Sequence, residues 1–511
     1  MEFLAHDLLE GREAGTRGYE LAARYVASQF AQLGLEPAGS DGFFQWVPLQ
    51  QATLVPGSVS LVVSGAGGQR TFTDADHVAT YPSDREIDQR ISGQLVFAGH
   101  GIVSAEHGRD DYKGLDVRDR YVVVVGGPPP GLPGEVAAHL GSVAEQTARA
   151  AERGALGVLV IYSPALEARF PFVRLPAVTR QPTARWRDST VEGARGDGLR
   201  MVAFIDSVAT EALFRGAPRT YGSVLAGMSE GPITGFPLAT TATVSRRATI
   251  VRSRSPNVAA LLPGSDSTLA NEIIVLSGHL DHVGIGPPKN GDSIYNGALD
   301  NASGIAGMLE IARVLSTASP TPRRSILFLA VTAEEKGLIG SDYFARNPSV
   351  DAARIVGGIN YDGAAAFQEF NEVIGYGAGS STLGSALTRA ATGMGITIIP
   401  DPAPETSIFT RSDHYSFVRQ GTPAIFVLPG SGSETSGDVA TNPDVRFAAE
   451  HLHQPSDDLS LPYDYAVFAR FTELFRRVVV EAAVMNDRPR WYEGDFFGEQ
   501  FAPQAKKAPP P

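Results

Sequence analysis

A chain of 511 residues, 43% apolar and 19% charged, is long enough for more than one compact core, so two domains with tails are expected. A formal charge of -13 excludes the clustered Lys and Arg that phosphate binding needs, so no nucleic acid partner is expected. Cysteine is absent, which excludes disulfides, thiolate metal sites and a cysteine nucleophile and leaves metal binding to His, Asp and Glu.

From Arg17 to Leu33 the apolar residues Leu21, Tyr25, Val26, Phe30 and Leu33 recur at near-helical spacing, and Gly34 stands where that helix should stop. Between Gln69 and Phe236 the pattern becomes short β-type runs, Gln94 to Ala98, Tyr121 to Val125 and Leu156 to Tyr162, interrupted by one predicted helix over Gly134 to Arg153. After Pro256 the rhythm changes again. Ile273 to Ser277, Ser325 to Val331, Ile355 to Tyr361 and Ala424 to Leu428 are apolar strand candidates that alternate with helical patterns. One of those is marked by Ile305, Met308, Leu309, Ala312 and Leu315, another by Phe468, Phe471, Leu474, Phe475, Val478 and Ala482. That alternation predicts an α/β fold with a mostly parallel central sheet flanked by helices. The domain expectation is residues 1–68 and 237–490 for this α/β part, 69–236 for an inserted β-rich part, and 491–511 as a flexible tail. No apolar run approaches the ~20 residues of a membrane span. Met1-Glu2-Phe3-Leu4 lacks the basic and apolar regions of a secretion signal.

Each strand candidate of the second half is followed by a potential metal ligand, and in open α/β sheets ligands collect outside the carboxyl ends of strands. The first runs into His279-Leu280-Asp281, where two-residue spacing in extended chain lets the Asp281 carboxylate support the His279 ring. Asp300 precedes the next helix, where Asp300 or Asn301 alternatively serves as a helix cap. Glu334 and Glu335 follow the strand ending at Val331, where they read as metal and water partners or as acids of a helix's first turn. Asp362 follows Tyr361, and His453 lies in Glu450-His451-Leu452-His453-Gln454. Singly, each is as well explained by a cap, a turn or a surface histidine. Two His and three carboxylates at successive strand ends, with a spare Glu beside one of them, are poorly explained by accident.

His279-x-Asp281, Asp300 in Asp-Asn-Ala-Ser-Gly, Glu334-Glu335, Asp362 and His453-x-x-x-Asp457 resemble, in order and approximate spacing, the M28 family of zinc metallopeptidases. Asp110-Asp111-Tyr112-Lys113-Gly114-Leu115 with the runs at Tyr121 and Gly154 is similar to the protease-associated (PA) domain inserted into many of them. The resemblance implies a zinc-exopeptidase fold and an aminopeptidase with two Zn2+ per chain, for which Co2+ or Mn2+ can substitute. His279 and Asp362 would hold one zinc, Glu335 and His453 the other, and Asp300 would bridge them. It also implies Glu334 as general base, Asp281 as orienter of His279, and Arg411 and Asp413 near the reacting carbonyl. Where several relatives carry Tyr before the last His, this chain has Leu452. The implied partner is a peptide with a free N-terminus, and the implied location is secreted or periplasmic. A carboxypeptidase of the same fold and a non-catalytic receptor that retains it are the alternatives.

Overall fold

The computed structural model describes residues 1–74, 76–127, 129–187, 199–228, 231, 233–319, 321–430 and 443–511. They divide into two compact units, one formed by Met1–Leu49, Ser253–Pro402 and Arg411–Pro511, the other by Gln50–Arg252 and Ala403–Thr410.

The sheet of the first unit is built from the end of β1 (Phe236–Leu262) with β2 (Ile273–His279), β3 (Ser325–Val331), β4 (Ile355–Asn360), β5 (Glu372–Tyr376), β6 (Thr397–Ile399) and β7 (Ala424–Pro429). Its order is β1-β3-β2-β4-β7-β5-β6. The β3-β2-β4-β7 centre is parallel, and β1 and β5 pair antiparallel at its two sides. β2 and β3 are apolar along nearly their whole length and buried at every residue, as strands covered by helices on both faces must be. Register places His279 beside Val331, so the ligand at the end of β2 and the acids after β3 emerge on one edge.

Helices supply the apolar cover. α1 (Arg17–Gln32) starts where the Thr16 hydroxyl accepts from the Tyr19 N–H, buries Ala22, Ala23, Val26 and Phe30, and ends before Gly34 in the left-handed region at φ +76°. α2 (Gly304–Ser316) buries Ile305, Met308, Ile311 and Leu315. α3 (Tyr465–Val484), capped by Asp464, buries Phe471, Leu474, Phe475 and Val478. These faces and the strand residues Leu276, Phe328 and Ile359 make one continuous core. In it the Tyr361 ring lies parallel to Phe475 at 3.9 Å, which fixes the chain one residue before Asp362. Among the described residues no helix is long and apolar enough to cross a membrane.

In the second unit Tyr121–Val125, Gly157–Ile161 and Met201–Ile205 pair in parallel, Asp88–Phe97 joins Tyr121–Val125, and Ser60–Gly65 forms a hairpin with Gly68–Thr73. Apolar clusters lie on both faces of this sheet. The sequence placed its limits at residues 69 and 236, whereas the unit runs from Gln50 to Arg252 with Ala403–Thr410 added. Residues 67 and 68, next to the expected limit, lie in a hairpin turn, with Gly68 at φ +89°. The helix predicted over Gly134 to Arg153 is two, Gly134–Leu140 and Val143–Glu152, because Ser142 interrupts the first to cap the second through the Glu145 N–H.

The C-terminal residues are not a free tail. Trp491 is 3% exposed, its indole N–H donates to the Gly421 carbonyl at 2.8 Å, and a short helix Phe496–Phe501 buries Phe497. Lys507 Nζ donates to the carbonyls of Gly498 and Ala502 at that helix's end, which ties the expected flexible tail to the helix C-terminus. Trp491→Ala should lower folding stability by about 3 kcal/mol in a denaturant titration, the cost of emptying a buried aromatic site. An unchanged midpoint would return the segment to the status of a loose end.

Candidate metal centre

The imidazole of His279, at the end of β2, points Nε2 at two carboxylates: Asp300 Oδ1 and Asp362 Oδ1 each lie 3.0 Å away. The other oxygen of Asp300 faces a second imidazole, with Oδ2 at 3.1 Å from His453 Nε2, and Glu335 Oε2 stands at 3.1 Å from the same nitrogen. One carboxylate thus belongs to two donor sets. Glu334 joins on the side of His279 and Glu335, with one donor atom from each residue inside 4.8 Å. A tetrahedral zinc with bonds of about 2.0–2.2 Å needs donor atoms about 3.3 Å apart, and the observed separations come close to that spacing.

Each ligand is held from behind. The Asn301 amide, fully buried, donates to the carbonyls of His279 (3.3 Å) and Tyr361 (3.0 Å), and its oxygen accepts from the N–H groups of Gly304 and Gly363 at 3.0 Å. That side chain joins the three chain segments that carry His279, Asp300 and Asp362. The capping role foreseen for this position falls to Asn301, whose oxygen takes the first N–H of α2 and leaves Asp300 free to face the imidazoles. Asp457 accepts from the N–H groups of Leu299 (2.8 Å) and Asp300 (3.1 Å), with the Tyr463 hydroxyl donating to it. Asp362 Oδ2 accepts from the Ser412 hydroxyl, which in turn accepts from Asn360.

Asp281 acts differently from the sequence expectation. His279 Nδ1 lies 3.1 Å from the backbone carbonyl of Asp281, while the Asp281 carboxylate accepts from the N–H groups of Glu334 and Glu335. An alternating strand would have put side chain against side chain. The chain turns directly after His279, so the main-chain oxygen takes that place and the carboxylate reaches across to the next loop. Two residues hold the left-handed backbone uncommon outside Gly, Ala333 at φ +54° before the two acids and His453 at φ +55°.

Burial opposes charge throughout the site, and the outcome depends on neighbours. His279 is pulled down by burial, yet Asp362, Glu334 and Asp300 hold it well above the ordinary imidazole value. His453 follows the same logic with Glu335 and Asp300. Burial pushes Glu335 up and Asp300 adds to that, but His453 and His282 bring it down to about 2. Glu334, buried and close to Asp362, Glu335 and Asp413, is raised well above a normal glutamate. Burial also lifts Asp413 to about 7. Among the described residues the groups in direct contact with Asp300, Asp362 and Glu335 that can carry positive charge are imidazoles, a part that metal ions would take.

His282 was not singled out from the sequence, although it stands three residues after His279 in the same motif. It is fully buried, with Nδ1 2.7 Å from Glu335 Oε1 in an orientation that makes no hydrogen bond, so both atoms are left unsatisfied. Buried polar atoms without partners are rare in folded proteins, and here they face a space lined with N and O donors. The residues fit zinc, and the same borderline donors also suit Co2+ or Mn2+. Arg411 and Asp413 part company: Asp413 is buried close to His279, and Arg411 is exposed, with no contact to the cluster among the described residues. Leu452 packs partly buried against the core and offers no hydroxyl beside His453.

Residues 257–479 match the sequence pattern of Peptidase family M28. The chain carries an M28 peptidase domain. The chain is 37% identical over 107 residues to leupeptin-inactivating enzyme 1 of Streptomyces exfoliatus, which is 21% of this chain and 22% of that protein. It is 32% identical over 181 residues to probable leucine aminopeptidase 2 of Aspergillus fumigatus, 34% of this chain and 33% of that protein. The matched segments therefore span between about a fifth and a third of these relatives. An aminopeptidase from Aneurinibacillus sp. strain AM-1 has a similar fold, with 20% identity, a TM-score of 0.52, and 95% of this chain and 94% of that one covered. The mostly parallel sheet with flanking helices is the M28 architecture.

Asn301→Ala would remove four hydrogen bonds to main-chain groups at or near the core, and should cost roughly 3 kcal/mol in folding stability by denaturant titration. A loss below about 1 kcal/mol would show that water replaces the amide. Zinc must displace protons from His279 and His453, whose protonated forms are favoured around neutral pH, so zinc affinity of the M28 domain should rise with pH through neutrality. Calorimetry in buffers of different ionisation enthalpy reads those protons; equal heats in every buffer would contradict the assignment.

Proposed function

We propose that this protein is a co-catalytic two-zinc exopeptidase that hydrolyses the N-terminal peptide bond of peptides. The reading is carried by one observation, the Asp300 carboxylate whose two oxygens face His279 Nε2 at 3.0 Å and His453 Nε2 at 3.1 Å. A bridging carboxylate between two imidazole-carboxylate sets is what a pair of cations sharing one water requires. On this reading His279 and Asp362 hold one zinc, Glu335 and His453 the other, and Asp300 both. When bound, such a pair polarises the peptide carbonyl and acidifies water.

The remaining chemistry belongs to the chain. Glu334 reaches the centre without being one of the five ligands, and its backbone N–H is fixed on Asp281 at 3.1 Å. A Glu334 carboxylate oxygen takes the proton from water as the water oxygen bonds to the carbonyl carbon. It returns that proton to the peptide nitrogen as the C–N bond breaks. Its raised proton affinity, caused by burial and then by Asp362, Glu335 and Asp413, suits a group that must hold that proton between the two events. The names of the relatives from Aspergillus fumigatus and Aneurinibacillus, an aminopeptidase in each case, favour a substrate with a free amine.

Glu334→Ala should lower kcat by roughly 10²- to 10⁴-fold with zinc content unchanged by elemental analysis. Retained turnover would remove the residue from the mechanism. His453→Ala should lose both zinc and activity. Aminoacyl substrates with a free amine should be cleaved, and N-blocked peptides with free carboxyl ends should not; the reverse pattern would make the enzyme a carboxypeptidase.

A further inference from the structure

The N-terminal segment contains no ligand, yet one of its side chains runs beneath the metal centre. Arg12 is fully buried and its guanidinium donates to four main-chain carbonyls: Nε to Leu280 (2.9 Å), Nη1 to Asn296 (2.6 Å) and to Leu4, and Nη2 to Gly297 (2.9 Å). The Arg12 carbonyl itself accepts from the His282 N–H at 3.3 Å. Leu280 and His282 flank the turn after His279, and Asn296 and Gly297 open the turn that presents Asp300. One side chain therefore spans the two loops whose separation sets the distance from His279 to the bridging carboxylate.

The local backbone is shaped for this reach. Glu10, Gly11 and Arg12 are all left-handed, at φ +51°, +66° and +50°, and a Cβ on Gly11 would run into the carbonyls of Tyr295 and Gly284. Asn296 fastens the same segment from the other side, its amide donating to the Ala5 carbonyl (3.0 Å) and to Asp7 Oδ1 (2.8 Å). Among the described residues no carboxylate pairs with the guanidinium. A buried charge without an ion partner is costly unless the surrounding field supports it, and here the support comes from Asp457, Asp281, Asp300 and Glu335. Burial, the larger effect, lowers Arg12 to about 10, which leaves it cationic at neutral pH.

We propose that Arg12 is a positioning residue of the metal centre, its planar fork fixing the His279 loop against the Asp300 loop and its charge offsetting the carboxylates from the side away from the ligands. The inference rests on the two-zinc reading and adds to it that the first dozen residues are part of the site. An ammonium group has three donors and no fork, so Lys cannot reproduce four divergent carbonyl contacts.

Chelator-competition titrations of zinc on the full chain test this with Arg12→Lys and Asp7→Ala. Arg12→Lys should raise the zinc Kd roughly 10- to 100-fold, the range seen when groups that orient metal ligands are removed. Asp7 is exposed, so Asp7→Ala should keep the fold and, by removing one of the two bonds that fasten Asn296 to the segment, raise the zinc Kd roughly threefold. A purely structural role for Arg12 would lower the melting temperature of the zinc-free protein while the folded fraction bound zinc as tightly as wild type. Zinc curves for both variants superimposable on wild type would overturn the proposal, and if Arg12→Lys does not fold, an unchanged curve for Asp7→Ala alone would do so. Wild type that takes up no zinc would instead overturn the two-zinc reading itself, a separate outcome.

Discussion

Mutual repulsion among buried carboxylates is the constraint that the rest of the α/β unit answers to. Asp300, Glu334, Glu335 and Asp362 converge on one place, with Asp281, Asp413 and Asp457 buried around them. Two unit charges 4 Å apart repel by about 4 kcal/mol at an effective dielectric constant of 20, so such a group would spread apart unless held. His279 and His453 lie in direct contact with these carboxylates, whose field favours their charged forms, and His282 stands beside Glu335. The rest of the restraint comes from backbone N–H groups aimed at Asp281 and Asp457, from the Asn301 amide and from the guanidinium of Arg12.

The scaffold meets this load by separating position from chemistry. Parallel strands buried along their length deliver the ends of β2, β3 and β4 to one edge at sheet spacing, and the buried polar pair of β2 and β4, Ser277 and Asn360, satisfies itself by a hydrogen bond between the two at 2.8 Å. The turns that follow carry both the ligands and the strain. Left-handed Ala333 precedes Glu334, left-handed His453 is itself a ligand, and Gly297 at φ +60° opens the Asp300 turn, where a Cβ would collide with the His282 ring. Backbone of this kind costs of order 1–3 kcal/mol per non-glycine residue and persists only where packing outweighs it. Here the Tyr361–Phe475 stack and the α2 and α3 cores are close enough to do that.

The strands, α1, α2, α3 and the five side chains that gather at the strand ends were legible in the sequence because each rests on a local signal: an apolar run, a helical period, or an acid or imidazole close after a strand. What was not legible depends on distant partners. Asp281 was assigned to His279 on strand alternation, but the turn after β2 sends its carboxylate 53 residues along the chain to the N–H of Glu334. Arg12 reaches 268 residues to Leu280, and no periodicity marks such a contact. The tail was judged by its prolines and lysines, while its order comes from Trp491 meeting Gly421. The limits of the second unit differ from the expected 69–236 because the change to short β-type runs marks strands, and the strand Phe236–Leu262 runs on from one unit into the other.

This separation has a consequence for how the centre comes into being. The donors lie on turns at residues 279, 300, 334, 335, 362 and 453, so no short segment of the chain offers a partial site, and closing loops of this length carries an entropic cost that the sheet must meet first. The centre is therefore a product of the completed fold, not a nucleus for it. The same turns are tied to one another by Asn301, which bonds to the carbonyls of His279 and Tyr361, and by Arg12, which bonds to those of Leu280 and Gly297. A site built this way tolerates little independent motion of any one ligand. The bridging geometry of Asp300 depends on that rigidity, because a carboxylate shared by two donor sets has no freedom to follow either one alone.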